Sequence, residues 1–398
     1  FKMKNEKSWR TRMFIVGMKV LITLVVVVTI TLIAVTGVYV PKTYKNVYEN
    51  DYYMNYDDIR SQVVAFGLLA PSSHNMQSWR VVYDKSNENK MDVYLDSDRT
   101  LSVVDSNYNQ LIISVGTFIA YIEKGAEGLG YKADVEYFKD GVLPDSPSIE
   151  EIQNTVIASV TLTKEGEFAS EHLDSIGGST KRLPYLDTEL SDDVMNKLVS
   201  LNDFTNLDFN IISEENELTL LKDILISGVD VESKHEAAMM ETSKVMRYTT
   251  YQKNKNPYGL SLHSDNPSVF SRTITEFLAT VFKQPWEKDG EFWYQRDSQN
   301  IEQTNYFGMI LSNTNTRFDQ INIGLLYGKI SLFVQSNNLD IQPTHQVLQD
   351  YTEMAELNGQ INDNFNDNEH SIQMVFRIGE TDVSIPVGLR FDVENIIE

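Results

Sequence analysis

The chain has 398 residues and a formal net charge of −23, with 57 acidic against 34 basic side chains, which disfavours nucleic acid as a partner. Its hydrophobic fraction of 41% and aromatic fraction of 11% are sufficient for a packed core. The absence of Cys excludes disulfides, thiolate catalysis and Cys-ligated metal sites.

The first 40 residues predict a membrane anchor. Val20–Val40 carries no charge, is rich in Val, Leu and Ile, and has about the length that spans a bilayer. Six basic residues precede it, namely Lys2, Lys4, Lys7, Arg10, Arg12 and Lys19. The positive-inside rule places residues 1–19 in the cytoplasm, residues 20–40 in the membrane and the remainder outside. A cleaved signal peptide would have a shorter apolar run, so we expect one uncleaved anchor followed by a polar tether at residues 41–55.

A polar turn follows the first helix of the external part. Tyr56–Leu69 has the apolar spacing of a helix, and the helix is expected to end before Pro71 because the residue before a proline avoids the α region. The turn Ala70–Trp79 (APSSHNMQSW) then leads into a strand at Arg80–Asp84. Its Ser, Asn and Gln side chains either satisfy backbone groups of the turn or hydrogen-bond a flat heteroaromatic ligand, and the turn alone leaves both interpretations open.

The same order of elements occurs twice in the external part. The first set comprises strands Arg80–Asp84 and Met91–Leu95, a helix at Leu111–Leu129, and strands Tyr131–Tyr137 and Thr155–Leu162. The second set comprises a helix at Ser191–Leu201, a strand at Leu207–Ile212, two helices within residues 215–250, a strand at Tyr306–Leu311, a helix at Gln320–Asn337 and a strand at Ile372–Ile378. This repetition predicts an α+β fold of two fused, similar halves, residues 56–165 and 166–398.

Three smaller expectations come from composition. Residues 255–300 are punctuated by Pro, Trp and Gly and are predicted to form an irregular, lid-like insertion in the second half. Gly116, within the first long helix, indicates a close approach by a backbone or a ligand. The six His show no metal-binding spacing, and the Asn- and Asp-rich residues 362–368 lack EF-hand spacing, so we predict no metal site and a solvated loop.

Four motifs, taken in chain order, resemble those of the flavin-dependent nitroreductase superfamily and most nearly its fused, pseudo-dimeric Acg-type branch. They are Ala70–Trp79 (against A-P-S-x-x-N-x-Q-P-W), Asp105 with Ile113–Gly116, Thr180–Tyr185 (against R-x-T-x-R-x-P-F), and Gln342-Pro343 with Gln373–Gly379. Together they span nearly the whole external part of the chain.

The resemblance implies one FMN, bound non-covalently at the junction of the halves. Ser72, Ser73, Asn75 and Gln77 would contact the ring system, whose pyrimidine edge needs neutral donors and acceptors. Thr180, Arg182 and Arg390 would hold the phosphate, which needs charge-assisted donors. No catalytic side chain is assigned, because flavin chemistry requires chiefly that the protein orient and tune the ring.

The second half departs from the family pattern at the phosphate. Gly178 stands where the family has its first Arg, and Arg390 is the only basic residue where the family has two. Residues 174–180 (DSIGGST) also resemble a motif whose final Thr carries a covalently attached flavin on extracytoplasmic proteins. Covalent flavinylation at Thr180 is therefore the alternative to non-covalent FMN.

The function implied is a membrane-tethered, extracytoplasmic FMN-dependent oxidoreductase of the nitroreductase type that passes electrons through flavin N5 to a small molecule. The electron donor is NAD(P)H or another compound such as a membrane quinol, because NAD(P)H is scarce outside a cell. Two other functions stay open at this stage. One is a flavin-binding, sequestering or flavin-free protein without turnover, and the other is a structural surface protein that uses the fold as a scaffold.

Overall fold

The computed structural model describes residues 2–169, 173, 176–177, 180–266, 268–282, 285–366 and 370–398, and gives only the backbone of residues 2–8. It begins with helix α1 (Lys2–Thr36), whose stretch Trp9–Thr36 is long and apolar enough to cross a membrane. The helix ends at Thr36, four residues before the predicted end of the anchor. Gly37 stops it by adopting φ +65°, a left-handed conformation that suits glycine at a helix C-terminus.

The first half contains a four-stranded antiparallel sheet. Its strands are β1 (Trp79–Tyr83), β2 (Lys90–Leu95), β3 (Tyr131–Tyr137) and β4 (Ala158–Lys164). They lie in the order β1-β2-β4-β3, and alternate residues of β2 are buried, as expected when one face covers a core. The predicted strands are confirmed to within three residues at their ends. A short helix before β4, α4 (Ile149–Asn154), was not predicted.

The second half contains a sheet with the same connectivity. Its strands are β5 (Leu207–Ile212), β6 (Tyr306–Ser312), β7 (Asp340–Pro343) and β8 (Ser371–Gly379). The order β5-β6-β8-β7 repeats that of the first sheet, with the last strand again inserted beside the second. The repeated order confirms the predicted α+β class and shows that the two sheets are topologically equivalent.

The two halves meet through their long helices, α3 (Asn109–Gly128) and α11 (Arg317–Ser336). Both helices are buried over most of their length. A Cβ on Gly116 would lie 2.3 Å from the Ile321 carbonyl oxygen, and a Cβ on Gly324 would lie 2.1 Å from that of Ile113. The close approach predicted at Gly116 is therefore to the backbone of α11, and glycine is required there on steric grounds.

Eight further helices complete the described fold. They are α2 (Ile59–Gly67), α5 (Asp192–Ser200), α6 (Glu215–Lys234), α7 (Glu236–Val245), α8 (Thr250–Lys255), α9 (Val269–Phe282), α10 (Trp286–Glu302) and α12 (Ala355–Phe365). The helices predicted at Tyr56–Leu69, at Ser191–Leu201 and within residues 215–250 are confirmed, with shorter ends. Asp58 and Ser191 cap α2 and α5 by accepting hydrogen bonds from backbone N–H groups.

The secondary structure predicted for two segments is wrong. Residues 255–300, expected to be irregular, hold the helices α9 and α10. Pro285 does not interrupt α10, because it immediately precedes the helix, where its fixed φ is harmless. Gly290 lies within α10 and lets that helix pack on the Ser233 carbonyl. The loop expected at residues 362–368 is helical as far as Phe365, and residues 367–369 lie outside the described part. Here tertiary packing outweighs the low helix propensity of Asn and Asp.

Candidate functional site

The turn between α2 and β1 has a strained backbone. Its centre is a single 3₁₀ turn, Ser73–Asn75. His74, Asn75 and Gln77 have φ values of +46°, +55° and +49°, in the left-handed region that residues other than glycine rarely occupy. Such a conformation persists only where surrounding contacts hold it in place.

The side chains of Asn75 and Gln77 supply many of those contacts. Asn75 Nδ2 donates to the carbonyls of Gly259 (3.1 Å) and Leu389 (2.9 Å). Gln77 is fully buried, donates from Nε2 to the Pro257 carbonyl (3.2 Å), and accepts at Oε1 from the Phe391 N–H (3.0 Å). Both amides therefore join the turn to two distant segments of the second half.

Of the three serines of the turn, Ser72 bonds within the turn and Ser73 bonds to α3. Ser72 Oγ accepts from the Gln77 N–H (3.1 Å). The Ser73 N–H donates to Ser114 Oγ (3.1 Å), and Ser73 Oγ donates to Gln110 Oε1 (2.8 Å). Ser114, on the predicted I-S-x-G helix, thus anchors the turn. Ser72 and Ser73 also face a cavity between the two halves.

That cavity, called here the central cavity, encloses about 830 Å³ of unfilled space that is continuous with solvent. Its polar lining consists of Ser72, Ser73, His74, Gln110, Ser114 and Thr117 from the first half and Thr180, Arg182, Glu232, His345, Gln346 and Gln349 from the second, with Trp293 and Tyr327 beside them.

The closing strand β8 positions the second-half wall of the cavity. Arg377, fully buried on β8, donates to the carbonyls of Lys181 (3.2 Å) and Leu183 (2.6 Å) and to Gln342 Oε1 (2.7 Å). The Arg182 N–H in turn donates to the Ser264 carbonyl (2.8 Å). The arginine of the Gln373–Gly379 motif is therefore a structural residue that fixes the segment carrying Arg182.

The guanidinium of Arg182 has no counter-ion within the described residues. Its carbon lies 5.5 Å from the Trp293 ring centre, and it makes no hydrogen bond or ion pair there. Asp297 and Asp265, whose charges act on Arg182, are both paired with Arg296, at 2.7 and 3.0 Å. Burial, followed by repulsion from Arg296, lowers the pKa of Arg182 below its usual range. An unpaired, desolvated cation on a cavity wall is a site for an anion.

Arg390 lies on the other side of the turn and is largely satisfied by it. Its Nη1 donates to Asn75 Oδ1 (2.5 Å) and to the Leu389 carbonyl (2.9 Å). Its buried Nε lacks a partner in the described part of the chain. Arg390 lines two further cavities that adjoin the central one and share Pro71 and Thr180 with it.

The structure thus brings six of the seven predicted binding residues to the walls of three adjoining cavities. The exception is Gln77, which lines none of them. Gly178 and most of the segment that precedes Thr180 lie outside the described residues. Within the described ranges there is no group of three His, Asp or Glu side chains that could hold a metal ion.

Several polar groups of the central cavity were not identified from the sequence. The Tyr327 hydroxyl, His345 Nδ1 and Gln346 Oε1 are buried there and have no hydrogen-bond partner among the residues that the structure describes. Such atoms also occur elsewhere in the described fold, so these three mark the cavity as polar without identifying a ligand. No local pattern marked them, although His345 follows the Gln342-Pro343 motif by two residues.

Burial shifts the pKa values of two histidines and one glutamate that line the central cavity. It lowers the pKa of His74 to about 3 and that of His345 to about 4, so both rings are neutral at neutral pH. It raises the pKa of Glu232 to about 7, although Gln349 Nε2 donates to this carboxylate at 3.0 Å. Glu232 is the group in this wall that can exchange a proton near neutral pH.

No protein-family model matches the chain, and no curated protein matches its sequence. Solved structures with a related arrangement include an FMN-dependent nitroreductase from Clostridium difficile (10% identity, covering 53% of this chain and 87% of that one, TM-score 0.29). Others are a nitroreductase with bound FMN from Desulfitobacterium hafniense (8%, 55% and 92%, 0.31) and an FMN-dependent nitroreductase with NADPH from Mycobacterium smegmatis (13%, 52% and 89%, 0.30). TM-scores this low do not by themselves assign a family or a function to the chain.

Proposed function

We propose that the central cavity binds FMN and that the chain is a nitroreductase-like oxidoreductase whose two halves form a fused pseudo-dimer. The observation that carries the proposal is Arg182, a half-buried cation without a counter-ion among the described residues, in the same cavity as three unpaired polar atoms. The cavity lies between the serine turn of the first half and the Thr180–Arg182 segment of the second, where the motifs predict a flavin.

The donors and acceptors present are compatible with the chemistry of FMN. Arg182 and Thr180 would hold the phosphate, since a dianion needs charge-assisted donors. Tyr327, His345 and Gln346 offer the mixture of donors and acceptors that the polar edge of a flavin ring requires. Ser72 and Ser73 line the opposite wall. A bound flavin would supply the redox chemistry, accepting electrons from a donor and passing them to a small-molecule substrate.

The chain's own contribution would be binding, orientation and proton exchange. The neutral rings of His74 and His345 can hydrogen-bond without adding charge, which leaves Arg182 as the cation facing the ligand. Glu232, with a pKa of about 7, can take up or release the proton that accompanies electron transfer. We infer that Glu232 is a proton-exchanging residue of this site.

We also propose that α1 anchors the chain in a membrane, with the N-terminus in the cytoplasm and the remainder outside. The apolar, exposed stretch Trp9–Thr36 and the basic residues near its start support this orientation. An extracytoplasmic site favours a donor other than NAD(P)H, such as a membrane quinol. Protease treatment of intact cells is expected to cleave the main domain, and complete protection of that domain would contradict the orientation.

A second candidate function is a protein that holds a flavin, or a related ligand, without turnover. The observation favouring it is that the Asn75 and Gln77 amides already bond to backbone groups, which leaves fewer side chains of the turn to contact the ring. This candidate predicts FMN binding without reduction by NAD(P)H or by a quinol.

The absorbance spectrum of the purified full chain distinguishes these functions. The enzyme is expected to be yellow, or to become yellow with added FMN, and to bleach with a donor and recover its colour with an acceptor. Protein that stays colourless after incubation with FMN would contradict the enzyme and any flavin-holding role, and would leave only a flavin-free protein. The intact mass after denaturation tests the covalent alternative, since added FMN mass is expected only if Thr180 is flavinylated.

A further inference from the structure

Helix α9 has its polar and apolar faces reversed relative to an ordinary surface helix. Its only charged residues, Arg272 and Glu276, are buried. Glu276 pairs with Lys253 of α8 at 2.5 Å, and Arg272 Nη1 donates to the Asn266 carbonyl at 2.7 Å. The side of α9 that faces the protein is therefore polar and satisfied, and the helix does not cover an apolar core.

The outward side of α9 is apolar. Phe270 is 77% exposed and Phe282 is 69% exposed, and Val269, Leu278 and Val281 are exposed beside them. No charged side chain interrupts this face, because both charges of the helix point inward. Ser271 and Thr275 are the exposed polar residues of this side, and both are uncharged. A largely apolar, uncharged surface of this kind on a protein marks contact with another protein or with a membrane.

The position of α9 identifies the partner. Helix α9 contacts α1, and the chain that leaves α1 is fixed to α8: the Thr43 N–H donates to Asn254 Oδ1, and Asn254 Nδ2 donates to the Pro41 carbonyl, both at 2.9 Å. Gly37, at the end of α1, lies against the Tyr251 ring of α8. The apolar face of α9 is thus adjacent to the exposed apolar surface of α1.

We propose that α9 binds the surface of the lipid bilayer beside α1, with Phe270, Leu278 and Phe282 inserted at the boundary between headgroups and acyl chains. Interfacial helices bury an apolar face to this depth and turn their polar face toward water. In α9 the polar face is instead covered by α8, through the Lys253–Glu276 pair. The domain would then be held at a fixed orientation on the membrane rather than suspended on a flexible tether.

The absence of Cys makes this proposal directly testable. Single-cysteine variants of the full chain, Phe282→Cys, Leu278→Cys and Val199→Cys, would be labelled with a fluorophore and placed in phosphatidylcholine–phosphatidylglycerol nanodiscs. Val199 is an exposed apolar residue on α5 and is the matched control. Val26→Cys, in the middle of α1, reports separately on insertion of the anchor. Each label is then quenched by a lipid-attached nitroxide and, separately, by aqueous iodide.

We expect the nitroxide to quench the labels at positions 278 and 282 severalfold more than the label at 199, and iodide to show the opposite order. This result supports docking whatever the label at 26 shows. Equal iodide quenching at 278, 282 and 199 would overturn the proposal, even with a lipid-quenched label at 26. Protection of positions 278 and 282 from both quenchers would also overturn it, because the face would then be covered by protein, such as a second copy of the chain. These outcomes do not depend on flavin binding.

Discussion

The turn Ala70–Trp79 and the opposite wall of the central cavity differ in how their polar side chains are used. In the turn, Asn75 and Gln77 bond to backbone groups of the second half. In the opposite wall, Arg182, Tyr327 and His345 have polar groups without hydrogen-bond partners in the described chain. The turn, whose sequence matches the family motif well, therefore uses its amides to hold the fold together. The opposite wall, whose sequence matches less well, carries the groups that are available to a ligand.

The contrast shows that a polar motif does not by itself identify binding residues. A strained turn with three left-handed residues needs side-chain bonds to hold it, and these amides supply them. Arg182 does the opposite, because this half-buried cation has no hydrogen bond or ion pair in the described chain and so stays available to a ligand. Substitution of turn residues should therefore chiefly affect folding, and substitution of the opposite wall should chiefly affect binding.

The largest effect is expected for Gln77→Ala. The variant leaves the Phe391 N–H and the Pro257 carbonyl without the partner that the Gln77 amide supplies. The free energy of unfolding should fall by about 3 kcal/mol, since each unsatisfied buried group costs about 1–3 kcal/mol. Chemical denaturation measures the change. A variant of normal stability that no longer binds FMN would reverse the assignment of Gln77.

The junction between the halves should be nearly as sensitive. Gly116→Ala places a methyl group 2.3 Å from the Ile321 carbonyl oxygen, so α3 and α11 must separate. We expect unfolding to become easier by about 2 kcal/mol, the usual effect of overpacking. Gly359→Ala is the matched control, because that helical glycine has no neighbour within 4 Å and its replacement should raise stability by up to about 1 kcal/mol. Equal effects at both positions would show that the helices are not in close contact.

Arg182→Ala should weaken the binding of FMN more than it changes the stability of the fold, whereas Gln77→Ala should chiefly lower stability. The affinity for FMN is expected to fall about 30-fold, or about 2 kcal/mol, through loss of a charge-assisted hydrogen bond. The free energy of unfolding should change little, because the side chain of Arg182 makes no hydrogen bond or ion pair in the described chain that the variant would lose. Lys181→Ala is the control, since Lys181 already pairs with Asp340 at 3.1 Å and should contribute little to binding. Calorimetric titration and denaturation together test the prediction, which fails if both variants bind equally well.

The smallest effect concerns pH. The folded chain holds the pKa of His345 at about 4, below the value of about 6.5 for an unfolded chain. Between these values the unfolded chain binds a proton that the folded chain does not, so His345 lowers stability as the pH falls. Between about pH 6 and pH 5, the free energy of unfolding should therefore fall by about 1 kcal/mol less in His345→Gln than in the unsubstituted chain. Parallel stability–pH curves for the two proteins would contradict a buried, neutral His345.

Local sequence patterns predicted much of the fold. The helix Gln320–Asn337 was recognisable from its long apolar run, which is buried on almost every side, and the strand Tyr131–Tyr137 from its alternation, which turns one face toward the core. The patterns failed at α9 because its faces are reversed. They also failed at α10, which tolerates Gly290 through a tertiary contact with Ser233 that no local pattern records.

The candidate site was predictable only in part. Six of the seven residues named from the motifs line the adjoining cavities, because the motifs mark the segments that meet at the junction of the halves. The motifs could not show which side chains are already bonded, as Gln77 is, since that depends on residues more than 300 positions away. They also missed Glu232, whose burial follows from packing between distant helices.

The most direct test of the central claim is a comparison of FMN and riboflavin binding by the purified full chain. The two ligands share the ring system and differ in the phosphate, which Arg182 and Thr180 are proposed to hold. Equilibrium titration should show that FMN binds more tightly than riboflavin by about 30-fold, the same factor by which Arg182→Ala weakens FMN. Equal affinities would contradict the assigned phosphate site, and absence of binding by either ligand would contradict a flavin site in the central cavity.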